Sequence, residues 1–259
     1  MSMIKLFSQY HELLGQLTSR EIKQRYKQSV LGYAWVILNP FFQMLVMAFV
    51  YSIIIRIPDL GVPYSIYLYA GLLPWTLFNN SLTGSVNSLV GNAGLLSKIY
   101  FPREIFVMST MLAKMVDFAL SCSIFIIFMI YFQIPVTWNI LWVIPILLIQ
   151  QLFTYALSLF LAAANLFYRD IQYLLNLVLL IWMYLTPVIY ATEFFPEKYQ
   201  WIFKLNPMAI IINAYRQVIL AGGMPNLQSL GLALLLSLGI LALAYKFFKK
   251  VEGLFADVV

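Results

Sequence analysis

The sequence has 259 residues, of which 63% are apolar and only 10% are charged, and its formal net charge is +6. Its mean hydropathy is +0.86, a composition that excludes an ordinary soluble globular domain. Apolar stretches long enough to cross about 30 Å of hydrocarbon as a helix recur along the chain. The chain is therefore predicted to be an all-α integral membrane protein with several spans.

Residues 1–30 form an amphipathic segment with a basic C-terminal half. This pattern is typical of a helix that lies in the membrane interface. A cytoplasmic helix that contacts a partner would show the same pattern. The segment lacks a short apolar core followed by a small-residue cleavage site, so no removable signal peptide is expected. The apolar face carries Ile4, Phe7, His11, Leu14 and Leu17.

Six membrane-spanning helices are predicted after this segment. With the N-terminus inside, eleven Lys and Arg residues fall in cytoplasmic parts and four in outer parts, which satisfies the positive-inside rule. Both termini are therefore predicted to be cytoplasmic, and residues 1–259 to form one transmembrane domain with its first five spans inside 33–191. The predicted spans are 33–55, 65–90, 105–132, 140–166, 171–191 and 229–248.

Residues 192–228 contain a further apolar run, from Met208 to Leu220. Its thirteen residues would rise only about 20 Å as a helix, too little to cross. If the run did cross, Lys246, Lys249 and Lys250 would lie outside, against the positive-inside rule. We interpret 192–228 as an outer-face re-entrant or interfacial hairpin, with a lid packed on the spans as the alternative.

Motifs of soluble enzymes are missing from the sequence. It has no G-x-x-x-x-G-K-[ST] loop, no G-x-S-x-G elbow and no H-E-x-x-H. The single cysteine, Cys122, excludes an intramolecular disulfide and a cysteine metal cluster. No catalytic, cofactor-binding or metal-ligating residues are predicted, and no nucleic-acid partner.

Polar residues inside the predicted spans are costly in lipid unless they find partners or water. Lys114 and Asp117 lie three positions apart on the third span, so they can form an ion pair on one helix face; a transport role is the alternative. The second span is polar or small along one side, which suits either close helix packing or the wall of a hydrated path. That side carries Asn80, Thr83, Gly84, Asn87 and Gly91, of which Asn80 and Asn87 are the candidate path-lining residues.

Aromatic residues of the first and fifth spans are a second set of candidate channel-lining residues. Their rings offer an apolar face and, in Tyr and Trp, a hydrogen-bonding tip that suits sugars. An interfacial belt or core packing is the alternative for each of them. The candidates are Tyr51, Trp182, Tyr184 and Tyr190.

Four segments, in order and along nearly the whole chain, resemble the permease subunit of bacterial ABC exporters for O-antigen, capsule or teichoic acid polysaccharides. The resemblance implies a six-span half-transporter that dimerises around a channel. It further implies two copies of a separate ATPase subunit, which would hold ATP and Mg²⁺, and export of a lipid-linked polysaccharide across the cytoplasmic membrane of a bacterium. The segments are "YKQSVLGYAWVILNPFFQMLV", "GLLPWTLFNNSLTGSVNSLVGNAGLLSKIYFPREIF", "NLFYRDIQYLLNLVLLIWMYLTPVIY" and "LNPMAIIINAYRQVIL".

The resemblance also implies a short coupling helix in the cytoplasmic loop from Gly94 to Glu104. Pro102 suits the start of a new helix, and Lys98, Arg103 and Glu104 give a charged face able to pair with an ATPase. A plain inside loop that obeys the charge rule is the alternative.

Arg169 and Asp170 occupy the predicted cytoplasmic turn between the fourth and fifth spans. The resemblance marks this pair as a family feature. It could anchor the chain beside the ATPase or stabilise the turn.

Other functions compatible with the sequence are export of a small lipid or drug, an ATP-independent channel, and a membrane enzyme that modifies glycans. An ATPase encoded by the neighbouring gene would favour the exporter over the last two.

Overall fold

The computed structural model describes residues 3–27, 29–55, 58, 60–96, 101–192 and 195–255. Within these residues the regular secondary structure is entirely helical, which confirms the prediction of an all-α chain. The α-helices are α1 (Met3–Tyr26), α2 (Ala34–Phe49, continued as a π-helix over Val50–Ile55), α3 (Tyr64–Val86), α4 (Ala93–Leu96), α5 (Glu104–Tyr131), α6 (Val143–Phe167), α7 (Ile171–Tyr184), α8 (Trp201–Leu205), α9 (Pro207–Ile219) and α10 (Leu227–Val251).

Several of these helices are long and apolar enough to cross a membrane. They match the first, third, fourth and sixth predicted spans, so an all-α membrane fold is confirmed, while the total of six crossings stays a prediction. Among the described residues the segments that meet both criteria are Ala34–Ile55, Glu104–Tyr131, Trp138–Phe167 and Leu227–Leu254.

The fifth predicted span is shorter in the structure than in the sequence prediction. Helix α7 ends at Tyr184 after 14 residues, about 21 Å at 1.5 Å per residue, whereas the prediction continued to residue 191. The cause is Pro187, which lacks an amide hydrogen and disfavours helical geometry in the residue before it. Val188 is tied instead to Thr186 by a hydrogen bond of 2.7 Å from its amide to the Thr186 carbonyl.

Helix α3 lies at the centre of the bundle, where it packs against α2, α5, α6, α7 and α9, while α6 packs along α10. The first core cluster is built around α3, where Tyr69, Leu72 and Phe78 are fully buried and meet Phe153 of α6 and Ile211 of α9. In a membrane, where lipid tails are as apolar as these side chains, such contacts hold the helices together through close van der Waals packing.

A second core cluster lies at the end of the bundle that holds the last described residues. Phe106 of α5, Leu159 of α6 and Phe248 of α10 are fully buried there and meet Phe255. Leu14 of α1 joins this cluster, and α1 packs against α5. The N-terminal segment is therefore helical and uses its apolar face, while its position in the membrane interface stays a prediction.

The segment before α10 contains two helices joined at Asn206. Helix α9 begins with Pro207 at its first position, and the Asn206 side chain accepts a hydrogen bond of 3.1 Å from the amide of Met208, the usual arrangement for a helix start. Most of α9 is buried against α3, α6 and α10. This packing suits both the re-entrant hairpin and the lid, so the choice between them stays open.

Candidate functional site

The start of α5 is joined to the end of α10 by a group of charged residues, here called the α5–α10 charge cluster: Arg103, Glu104, Lys249 and Glu252. The Lys249 ammonium lies 2.5 Å from a Glu104 carboxylate oxygen and 2.8 Å from a Glu252 carboxylate oxygen. Glu104 is 1% exposed. The arrangement suits the helix dipoles, because Glu104 is in the first turn of α5 and Lys249 is in the last turn of α10.

This cluster changes how two of the predicted coupling residues are understood. The sequence placed Glu104 on a charged face able to pair with another protein, but its carboxylate is buried and paired within the chain. The Arg103 guanidinium lies over the ring of Phe255, 5.5 Å from its centroid. Lys98 falls in residues 97–100, outside the described residues. The charged face is therefore not formed by Glu104, although a coupling role for the loop stays a prediction.

The turn between α6 and α7 presents the other predicted coupling residues. Arg169 and Asp170 are both exposed, and neither forms an ion pair or a side-chain hydrogen bond with another part of the described chain. Asp170 precedes α7 without capping it through its side chain, so its charge favours the helix only through the dipole. A stabilising side-chain pair in this turn is thus not observed, and both charges are open to a partner.

The polar side of α3 serves two purposes. Ser81 and Ser85 are fully buried, and Asn165 of α6 donates to the Val86 carbonyl at 2.9 Å and to the Asn87 amide oxygen at 3.3 Å. These contacts are those of close helix packing with hydrogen bonds between helices. Asn80, in contrast, lines a cavity. Of the two predicted path-lining residues, Asn87 thus takes part in packing and Asn80 faces open space.

The predicted ion pair within α5 is wrong. Asp117 is paired with Arg25 near the end of α1, and within the described residues Lys114 forms no ion pair with Asp117. The position of Asp117 inside a predicted span indicated that its carboxylate needs a cation. That cation is Arg25 of α1, which is 92 residues away in sequence. Lys114 instead lines the same cavity as Asn80.

The aromatic candidates occupy different surroundings. Trp182 packs edge-on against Phe78 and Phe153, and its indole N–H donates to the Asn206 side-chain oxygen at 3.1 Å. Its contacts are therefore those of packing within the chain. Tyr51 lies 6.2 Å from Tyr64 between ring centroids.

Tyr184 and Tyr190 lie where α7 gives way to the following turns. The Tyr190 hydroxyl donates to the Tyr184 carbonyl at 2.6 Å. The Tyr184 ring is 55% exposed, which leaves its face open to a channel, to lipid or to a second copy. Of the four aromatic candidates, Tyr184 is the most exposed.

Arg216 of α9, one of the four basic residues in the predicted outer parts, is a structural residue. It is 6% exposed, and its guanidinium donates to the carbonyls of Pro187 and Val188 at 2.5 and 2.6 Å. It also donates to the Tyr67 hydroxyl at 3.0 Å and stacks over that ring at 3.8 Å. Gly71 makes room for it, since a Cβ there would lie 2.5 Å from the guanidinium. The sequence could have indicated this role, because an arginine within an apolar helix is rarely found unless other groups in the protein pair with it.

Metal binding finds no support in the described part of the chain, where no group of three or more His, Cys, Asp and Glu side chains is placed to hold an ion. The site is accordingly a set of charged and polar surfaces: the α5–α10 charge cluster, the exposed turn at residues 169–170, and the cavity lined by Asn80 and Lys114.

Comparison with known proteins gives matches over most of the chain. The family described as ABC-2 type transporter matches residues 12–220. The chain is 31% identical over 251 residues to the O-antigen export system permease protein RfbA of Klebsiella pneumoniae, covering 96% of this chain and 95% of the relative. It is 30% identical over 262 residues to the protein of the same name from Myxococcus xanthus, covering 99% of each.

A more distant relative is the polysialic acid transport protein KpsM of Escherichia coli, 21% identical over 220 residues, which cover 78% of this chain and 79% of the relative. The family match, the near full-length relatives and the long apolar helices agree with one another. The chain is a multi-pass membrane protein and belongs to the ABC-2 type transporter family.

Proposed function

We propose that the chain is the membrane-spanning permease of an ATP-driven exporter that moves a lipid-linked polysaccharide outward across a bacterial cytoplasmic membrane. The observation that carries this proposal is the similarity to O-antigen export permeases, which extends over 96% of the chain at 31% identity. The more distant similarity to a polysialic acid transport protein supports a polysaccharide cargo over a small lipid or drug. An ATP-independent channel and a glycan-modifying enzyme are disfavoured by the family.

A homodimer is part of this proposal. Helix α7 buries only Leu175 and Leu179 among its 14 residues, and the rest of its apolar surface must face lipid or another protein chain. A second copy that covers part of α2 and α7 would enclose a path between the two subunits. We propose that Tyr51, Asn80 and Tyr184 lie closest to that path, with Asn87, Trp182 and Tyr190 behind them.

An ATPase partner is the second component of the proposed exporter. ATP and Mg²⁺ would be held by two copies of a separate subunit, which would dock on the cytoplasmic side of both permease copies. The exposed Arg169 and Asp170 offer one charge of each sign without competing contacts in the described chain. Such charges commonly steer association and fix its register.

Complementation tests the proposed function. A bacterium whose own polysaccharide export permease is deleted should regain surface polysaccharide when it expresses this chain together with the ATPase encoded by its neighbouring gene. Surface glycan is measured by immunoblot, with the permease alone and the ATPase alone as controls. Absence of surface glycan, at normal membrane levels of both proteins and with the lipid-linked glycan present in the cytoplasm, would contradict the proposal.

The exposed turn is expected to matter for ATPase binding. The substitution Arg169→Glu should leave the thermal stability of the permease unchanged, because Arg169 is exposed and has no ion pair or side-chain hydrogen bond within the described residues. It should weaken co-purification of the ATPase and make that binding more sensitive to salt, since interface charges act through association rate and salt dependence.

The matched control for this variant is Lys198→Glu, an exposed cation that the predicted topology assigns to the opposite side of the membrane. Equal ATPase recovery in both variants at several salt concentrations would remove Arg169 from the docking surface.

A further inference from the structure

A cavity with both polar and apolar lining residues lies between the end of α1 and helices α2, α3 and α5. Its volume is about 430 Å³, within the range of about 300–1,000 Å³ that is usual for small-molecule sites. The exposed residues Trp35, Asn39 and Gln43 line it on the side of α2, so a ligand can enter from that side. Its uncharged polar side chains are Asn39, Gln43, Thr76, Asn80 and Ser121.

Three charged side chains line the cavity, and their formal charges sum to +1: Arg25, Lys114 and Asp117. Arg25 and Asp117 are paired with each other, and Arg25 also lies 3.7 Å from Glu21, which does not line the cavity. Within the described residues the Lys114 ammonium has no ion pair. Of the three lining charges, Lys114 is therefore the one outside an ion pair, while the four charges that include Glu21 sum to zero.

The position of Lys114 is held from one side. A Cβ on Gly84 of α3 would lie 3.2 Å from Lys114 Cε and 2.8 Å from the methyl group of Thr110, so the lysine stem already lies against the backbone of α3. A lysine inside a membrane segment that forms no ion pair within the described residues is costly to bury, and ionisable residues in such segments mark sites that bind ions or substrates.

The depth of Lys114 points to the class of ligand. Helix α5 has 28 residues, about 42 Å in length, which exceeds the hydrocarbon thickness of about 30 Å. Lys114 lies ten residues, or about 15 Å, from the first residue of the helix. With the helix centred on the bilayer, the Lys114 Cα lies about 9 Å inside the hydrocarbon boundary. Because helical side chains tilt toward the N-terminus, its long stem can carry the ammonium toward the lipid headgroups.

The chemistry of the cavity fits a phosphate group. Lysine is a common phosphate ligand that acts as a point charge, and the amides of Asn39, Gln43 and Asn80 can donate to phosphoryl oxygens or bond to the hydroxyls of an attached sugar. Asp117 is paired with Arg25, which weakens the repulsion between that carboxylate and an anion bound at Lys114.

We propose that this cavity binds the phosphate of a membrane lipid headgroup, with Lys114 as its charge partner and the amides of Asn39, Gln43 and Asn80 as hydrogen-bonding partners. Two lipids carry this chemistry: an anionic glycerophospholipid of the bilayer, and the isoprenoid phosphate that would anchor an exported glycan. Assignment to the second rests on the proposed function. In that case the cavity is where the lipid end of the cargo is held on the cytoplasmic side.

Lipid binding by the full chain in phosphatidylcholine nanodiscs tests this inference. Native mass spectrometry would count bound farnesyl diphosphate in one arm and added phosphatidylglycerol in the other. Lys114→Gln should weaken binding of the probe by about tenfold or more, since a hydrogen bond to a charged group contributes about 1.5–3 kcal/mol. Lys114→Arg should retain most of the binding, and the control Lys246→Gln, an exposed lysine of α10, should bind as the unmodified chain does.

Each result has a defined consequence. Loss of farnesyl diphosphate binding in Lys114→Gln, with an unchanged unfolding temperature, supports the glycan-anchor assignment. Binding of phosphatidylglycerol alone supports a headgroup site but overturns that assignment. Equal binding by Lys114→Gln and the unmodified chain, or no saturable binding of either probe, overturns the inference. The proposed function is judged separately by complementation with the unmodified chain, so a chain that exports glycan but binds neither probe refutes only this site.

Discussion

Replacing Arg216 with methionine is expected to destabilise the chain more than any exposed charge substitution. The guanidinium supplies the donors for the buried carbonyls of Pro187 and Val188, and methionine can fill the volume but cannot donate. Each buried carbonyl left unpaired costs about 1–3 kcal/mol, so a loss of about 3 kcal/mol or more is expected. The measurement is the thermal unfolding midpoint of the purified chain in detergent.

Two further variants make this result specific. Arg216→Lys should also be destabilising, because an ammonium on a flexible stem does not reproduce the planar fork that meets several acceptors and stacks on Tyr67. Lys204→Met removes an exposed cation of the neighbouring helix α8 and should change the midpoint little. An Arg216→Met chain that unfolds at the same temperature as the Lys204→Met control would show that the buried guanidinium is not needed to hold α9 against the bundle.

The long apolar helices could be predicted from the sequence, because each of them corresponds to one continuous run of apolar residues. The length of such a run and its mean hydropathy are properties of neighbouring residues and need no knowledge of the fold. The end of α7 was placed seven residues late, at 191 instead of Tyr184, although Pro187 was available as a stop signal. The prediction extended past Pro187 because Val188 and Ile189 continue the apolar run, although the helix has already ended.

The partners of charged residues were less predictable, because they come from distant parts of the chain. Asp117 needed a cation, and the nearest one by helical spacing was Lys114, but the structure supplies Arg25. Glu104 looked like a surface charge beside Arg103, yet Lys249 of α10 covers it. In both cases helix-to-helix packing decides the pairing, and a single sequence does not contain that arrangement.

The exposure of their side chains distinguishes aromatic residues that the sequence identified equally as candidates for lining a channel. Trp182 and Tyr184 are two positions apart, so they point to different sides of α7. Trp182 is held by Phe78, Phe153 and Asn206, whereas Tyr184 is open. Composition predicted that some aromatic residues could line a path, and packing identifies which of them are free to do so.

The α5–α10 charge cluster gives the second large expected effect. In Lys249→Met the Glu104 carboxylate would stay buried without its cation. Breaking a buried pair in this way costs about 3–5 kcal/mol, and we expect a loss of about 3 kcal/mol because Lys249 is 33% exposed. The control Lys250→Met removes the adjacent exposed lysine and should leave the unfolding midpoint nearly unchanged.

A double-mutant cycle separates the pair from the rest of the cluster. Glu104→Gln alone should cost less than Lys249→Met, because Lys249 keeps Glu252 at 2.8 Å. Combining both substitutions should recover most of the stability lost in Lys249→Met, since no buried charge is then left uncompensated. Additive losses in the double variant would mean that Glu104 and Lys249 do not act on each other.

The same cycle tests whether the cluster positions the region proposed to meet the ATPase. Glu104 opens α5 directly after residues 97–103, so its pairing with Lys249 fixes that end of the loop against α10. We expect ATPase co-purification to fall in Lys249→Met and to recover in the double variant in step with stability. If co-purification stays low in the double variant although stability recovers, the charges themselves contact the ATPase; if it never falls, this end of α5 does not take part in docking.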